Sequence, residues 1–139
     1  MGGALGRGPE RGREYAMNEI FHSQDGALPK PTEGTLVQRT AGTSWQESDT
    51  EGFLVKPLHE DPDSGHRTWL MKVEPGAYAP LHAHQEYEEI YVLEGEFYDA
   101  DTTYRAGDFA IRAPGTQHIA GSKTGAVVML VFSRAPKDA

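Results

Sequence analysis

From residue 35 onward, apolar residues come in short runs, each cut off by Gly, Pro, Asp or Ser. "TLVQRT" (35–40), "GFLVKPL" (52–58) and "RTWLMKV" (67–73) come first; "EEIYVLEGEFYDA" (88–100), "RAGDFAIRAPG" (105–115) and "GAVVMLVFSR" (125–134) follow. Between them lie "HEDPDSGH" (59–66), "EPGAYAP" (74–80) and "DTTY" (101–104). Residues of these types reverse a chain: Gly reaches positive φ, Pro pre-sets a turn, and Asp and Ser bond their own backbone. No apolar period between 35 and 133 is long enough for a helix of about ten residues. Short strands at regular spacing predict an all-β chain, a single small antiparallel β-barrel or jelly roll.

A length of 139 residues suits one domain. Residues 1–33, rich in Gly, Pro and charge, read as a flexible N-terminal tail, and 34–139 as the β domain. Met17 follows a leader of low hydrophobicity, so the leader reads as an upstream start or an expression remnant, outside the fold. The leader lacks the apolar segment of a secretory signal, and the longest apolar run, "GAVVMLVF", is strand-sized, so a cytoplasmic protein is expected. A formal charge of −8 argues against nucleic acid or an anionic membrane as partner. Cysteine is absent, which excludes disulfides and thiolate metal sites. A metal would need nitrogen and oxygen ligands, as Fe(II), Mn(II), Zn(II), Ni(II) or Cu(II) accept.

Such ligands stand close together in "PLHAHQEYEEIYVLEGE", residues 80–96. On a strand, i and i+2 share a face, so His82 and His84 can point into one space. Glu88 keeps that parity if "QEY" does not bulge and can add an oxygen, whereas Glu89 has the opposite parity. His118, just after the Pro-Gly turn of "APGTQH", is a candidate third imidazole. Three neutral imidazoles and one carboxylate would leave a divalent ion with net positive charge and open positions for a ligand. On its own, an H-x-H pair is more often two half-exposed strand histidines than a metal site.

The wider spacing resembles the two motifs of the cupin family. The first, G-x5-H-x-H-x3-E-x6-G, is matched by Gly76, His82, His84, Glu88 and Gly95. The second, G-x5-P-x-G-x2-H-x3-N, is matched at Gly107, Gly115 and His118. Ala113 occupies the proline slot, with Pro114 one residue late, and Ser122 replaces the asparagine; neither slot is a ligand, so these departures bear on turn rigidity. The resemblance implies a cupin barrel holding one divalent metal per chain through His82, His84, Glu88 and His118. The stretch from "PGAYAP" to "PGTQH" is further similar to the subgroup that contains the ChrR cupin domain and acetylacetone-cleaving dioxygenases. That likeness implies Fe(II) ahead of Zn, Mn or Ni, and a dioxygenase acting on a small diketone, hydroxyketone or similar chelating substrate. A non-redox isomerase or lyase, and a ChrR-like metal-dependent sensor, are the alternatives. The acetylacetone-cleaving members use three histidines without a carboxylate ligand, so Glu88 departs from their pattern.

Strand parity turns Ile90 and Val92 inward, and Trp69, Met71 and Val73 with them. Met71 and Val73 read as core; Trp69 is core or the wall of a substrate pocket. Tyr78 and Arg112 are candidates to meet a bound carboxylate or enolate, although a surface ion pair would also account for Arg112. "HEDPDSGH" reads as a solvated hairpin loop rather than a second metal site. Outward Tyr91, Leu93 and Leu70 suit a symmetric homodimer.

Overall fold

The computed structural model describes residues 20–23 and 25–135. They fold as antiparallel strands: β1 (Gln46–Glu47), β2 (Phe53–Asp61), β3 (His66–Val73), β4 (Tyr78–His82), β5 (Tyr87–Tyr98), β6 (Thr103–Arg105), β7 (Phe109–Arg112), β8 (His118–Gly121) and β9 (Ala126–Ser133). The strand order is β1-β2-β3-β9-β5-β8-β4, with β6 and β7 paired to β5. Among the described residues the sole helical piece is a 3-10 turn at Thr40–Gly42. The all-β reading is therefore correct, and the sheet curls into a half-barrel.

Alternation explains the curl's inside and outside. Trp69, Met71 and Val73 on β3 and Val128, Leu130 and Phe132 on β9 are at most 2% exposed, while Lys72 faces solvent. Ile90 and Val92 of β5 join them, and Tyr91 and Leu93 are turned outward. Each fully buried side chain of this kind contributes roughly 1.5–3 kcal/mol. The strand β5 runs against β9 and β7 in its first part and meets β6 and β8 near its end, where Tyr98 pairs with Gly121. Its register shifts between Val92 and Glu94, after which Phe97, of the opposite parity, is the buried residue. A bulge of this sort bends a strand and lets it serve two sheets. Gly95 follows at once with φ +76°, and a Cβ there would stand 2.0 Å from the Gly125 carbonyl oxygen.

"TLVQRT" departs from expectation: it forms no strand before Thr40, and Leu36 and Val37 are 44% and 64% exposed. The outer edge of β2 is paired instead with β1, whose Gln46 and Glu47 face Val55 and Leu54. Pro57 sits inside β2 beside a register shift between residues 57 and 59, where a missing N–H is tolerated. "HEDPDSGH" is the β2–β3 hairpin, with Asp61 accepting from Asp63 N and Ser64 Oγ.

Candidate metal centre

His82 ends β4 and His118 begins β8, and the two are register partners with ring centroids 4.3 Å apart. His84 lies just past β4, in a connection outside any strand, so it reaches the site through that link rather than by strand parity. The link is docked by Gly115, whose N–H donates to the His84 carbonyl at 2.8 Å and ties it to the Pro-Gly turn before His118. One nitrogen from each of His82, His84 and His118 lies within 4.8 Å of the others, and all three residues are buried. Among the described residues this is the one group of three or more His, Asp or Glu so placed.

The rings are oriented. His82 Nδ1 lies 2.8 Å from the Pro80 carbonyl and His118 Nδ1 3.2 Å from that of Ile119. A carbonyl only accepts, so Nδ1 carries the proton and Nε2 keeps its lone pair, the state in which imidazole binds a metal. Burial, with Arg112 and the neighbouring histidines adding to it, pushes the His118 pKa down to about 3. Its Nε2 is buried without a hydrogen-bond partner among the described residues. A neutral, oriented nitrogen that would otherwise go unsatisfied fits a divalent cation.

Glu88 is brought up by β5 and is buried. Its Oε1 lies 3.8 Å from His84 Nε2 and 3.6 Å from His118 Nε2. The same oxygen is 3.2 Å from Arg112 Nε, and Glu88 and Arg112 are cross-strand partners on β5 and β7. Arg112 is not on the surface. Its side chain is 10% exposed, and its Nη1 donates to Asp99 Oδ2 at 2.9 Å. Tyr104 Oη donates to that same Asp99 oxygen at 2.7 Å. Burial opposes ionisation of Asp99, but the Tyr104 and Arg112 hydrogen bonds and two backbone N–H groups outweigh it and bring its pKa down to about 2. Burial and Asp99 raise that of Tyr104. Sequence reasoning missed Asp99, at the turn after β5, and Tyr104, which "DTTY" is expected to place in that turn but which lies in β6, paired with Phe97.

Trp69 and Met71 are core residues on β3. Trp69 Nε1 donates to Glu60 Oε2 at 2.7 Å, and its ring meets Phe132 at 5.6 Å. Phe132 in turn packs on His84 at 5.1 Å, so this pair forms the apolar side of the centre. Phe21, also missed, is 4% exposed and lies edge-on to His82 at 5.6 Å. Tyr78 is 52% exposed and lines a surface groove with Glu51, Gly52 and Glu74, away from the histidines. Ser122, at the asparagine position, is fully buried; its Oγ donates to the Glu96 carbonyl and accepts from Gly125 N–H, so it ties the turn before β9 to β5.

A half-barrel with this histidine triad is the architecture of a cupin. The chain belongs to the ChrR cupin-like domain family, whose sequence pattern it matches over residues 33–136. No curated protein matches the chain in sequence. Several solved structures share the fold. An RmlC-like cupin from Shewanella frigidimarina is 24% identical, with 76% of this chain and 96% of that one covered at a TM-score of 0.64. An acetylacetone dioxygenase candidate from Methylibium petroleiphilum is 14% identical, with 78% and 86% covered at 0.64. The anti-sigma protein ChrR of Rhodobacter sphaeroides, solved in complex with SigE, is 21% identical; 69% of this chain covers 52% of ChrR at 0.54.

Proposed function

We propose that this cupin is an Fe(II)-dependent dioxygenase acting on a small diketone, hydroxyketone or similar substrate with two chelating oxygens. The observation that carries the reading is the set of three buried imidazoles with ligand atoms within 4.8 Å of one another. His82, His84 and His118 would hold the ion, with Glu88 as a fourth, anionic ligand. Once bound, Fe(II) supplies Lewis acidity and redox chemistry with dioxygen. The remaining tasks belong to the chain. Backbone carbonyls of Pro80 and Ile119 hold two imidazoles in the ligating tautomer. Phe132, Trp69 and Phe21 keep the histidine side of the site apolar and limit water. Arg112 places a fixed positive charge beside Glu88, suited to a substrate that binds as an anion. The test is oxygen uptake by protein loaded anaerobically with Fe(II), against a panel of diketones and hydroxyketones. Uptake that needs both substrate and iron, and is absent with Zn(II), supports this reading; turnover under argon moves it to isomerase or lyase chemistry.

Family membership favours a second reading, a metal-dependent sensor without turnover, since the ChrR neighbour is seen with a sigma factor. Metal binding, no turnover across the panel and a stable protein partner would select it. Among the described residues no helix is long and apolar enough to cross a membrane, and we assign the protein to the cytoplasm. We also assign a homodimer. The outer face carries Tyr91, Leu93, Phe109 and Ile111, each 39–59% exposed, and among the described residues β7 pairs with β5 alone.

A further inference from the structure

Arg112 stands between two carboxylates: it is hydrogen-bonded to Asp99 and ion-paired with Glu88. Nη1 donates to Asp99 Oδ2 at 2.9 Å, whereas Nε and Nη2 are buried and make no hydrogen bond among the described residues. Nε faces Glu88 Oε1 at 3.2 Å. Asp99 is held at every point: Oδ2 takes Tyr104 Oη at 2.7 Å, and Oδ1 takes the N–H groups of Asp101 and Thr102, both at 2.9 Å. The side chains of Glu88, Asp99 and Arg112 are 7%, 9% and 10% exposed. In so dry a place each charge depends on its neighbours, and the pairs cannot rearrange independently.

We propose that Asp99 and Tyr104, acting through Arg112, are positioning residues that set how far the Glu88 carboxylate is available to an ion held by the three histidines. The inference rests on the metal-binding reading above and deepens it. While Asp99 is charged and anchored, it balances Arg112, and Glu88 can turn its oxygen toward His84 and His118. If Asp99 is neutralised, Glu88 is the one carboxylate among the described residues left to balance Arg112, and it is drawn from the ion toward the guanidinium. Tyr104 does not alter the charge count; it fixes the Asp99 oxygen that Arg112 grips. Tyr104→Phe therefore separates position from charge.

The experiment is a double-mutant cycle on the full chain, stripped of metal and titrated with Co(II) against a chelator. The visible spectrum of bound Co(II) reports ligand change independently of affinity. Asp99→Asn, Tyr104→Phe and Glu88→Gln are compared singly and as the two pairs with Glu88→Gln, and apo thermal unfolding is measured for each. Asp99→Asn is expected to weaken Co(II) binding roughly ten- to hundredfold, the usual effect of losing an outer-shell partner. Tyr104→Phe should weaken it less, and both should shift the Co(II) spectrum toward that of Glu88→Gln. In the Glu88→Gln background neither change should matter by more than about threefold, because the effect runs through Glu88. Equal factors in both backgrounds would overturn the proposal, since a long-range charge or folding effect does not need Glu88. If Asp99→Asn fails to fold, the Tyr104→Phe cycle decides alone. A wild-type protein that binds no Co(II), or binds it equally well as His84→Ala, would overturn the metal reading itself; an additive cycle on a protein that binds Co(II) overturns only this inference.

Discussion

His82 and His118 face one another across the β4–β8 ladder as register partners, their ring centroids 4.3 Å apart. Backbone pairing therefore builds two-thirds of the triad before any ion arrives. Replacing His82 or His118 by Ala should lower metal affinity by more than about a hundredfold, beyond the loss of an outer-shell partner. The β fold should persist, because neighbouring Phe53, Ile90 and Phe132 carry the core. Chelator competition and far-UV circular dichroism check the two halves of this statement.

Acid should destabilise the metal-free protein in two stages. His118, neutral when folded with its pKa near 3, favours folding above its unfolded value of 6.5, and that contribution is lost as pH falls from 6.5 toward 3. Asp99, depressed to about 2 from 3.8, contributes above about pH 4 and loses its contribution between 4 and 2. After allowance for solvent screening, the Asp99 share is roughly 1–2 kcal/mol. Urea unfolding at a series of pH values should show falling stability below pH 6.5, and Asp99→Asn should remove the part below pH 4.

Phe21→Ala should cost about 3 kcal/mol, as large-to-small changes at buried aromatic sites do. Phe21 fills the space between Phe53, at 5.2 Å, and His82. The same substitution should speed loss of bound metal to a chelator, because it uncovers one face of His82. Chemical denaturation and a stopped-flow chelator assay measure these effects.

Two glycines of the motifs should respond differently to Ala. Both have positive φ, which costs a side chain about 1–2 kcal/mol. Gly107 has open space around the added Cβ and should lose little more than that. At Gly95 the Cβ would overlap the Gly125 carbonyl, so the β5–β9 pairing must shift and the loss should exceed about 3 kcal/mol. Thermal unfolding of the two variants side by side makes the comparison.

How much was legible in the chain follows from what each residue depends on. The inward faces of β3, β5 and β9 obey a two-residue period, so Trp69, Met71, Ile90 and Val92 could be placed without coordinates. The histidine triad was legible because motif spacing stands in for strand register. Arg112 was not: its surroundings are set by Asp99 on another hairpin, and no local pattern states which carboxylate a guanidinium will meet. "TLVQRT" has strand composition, yet it joins no ladder, and Leu36 and Val37 stay exposed. Phe21 lies in a segment without periodicity, and its burial comes from Phe53 and His82, distant in sequence.

The most direct measurement is metal content by elemental mass spectrometry, on protein purified anaerobically without chelators or added metal. His84→Ala is prepared in parallel. About one divalent ion per wild-type chain is expected, lost in the variant, and iron is the ion expected of a dioxygenase. A folded wild-type protein without metal, or a variant that retains the ion, would contradict the claim that His82, His84 and His118 form a metal centre.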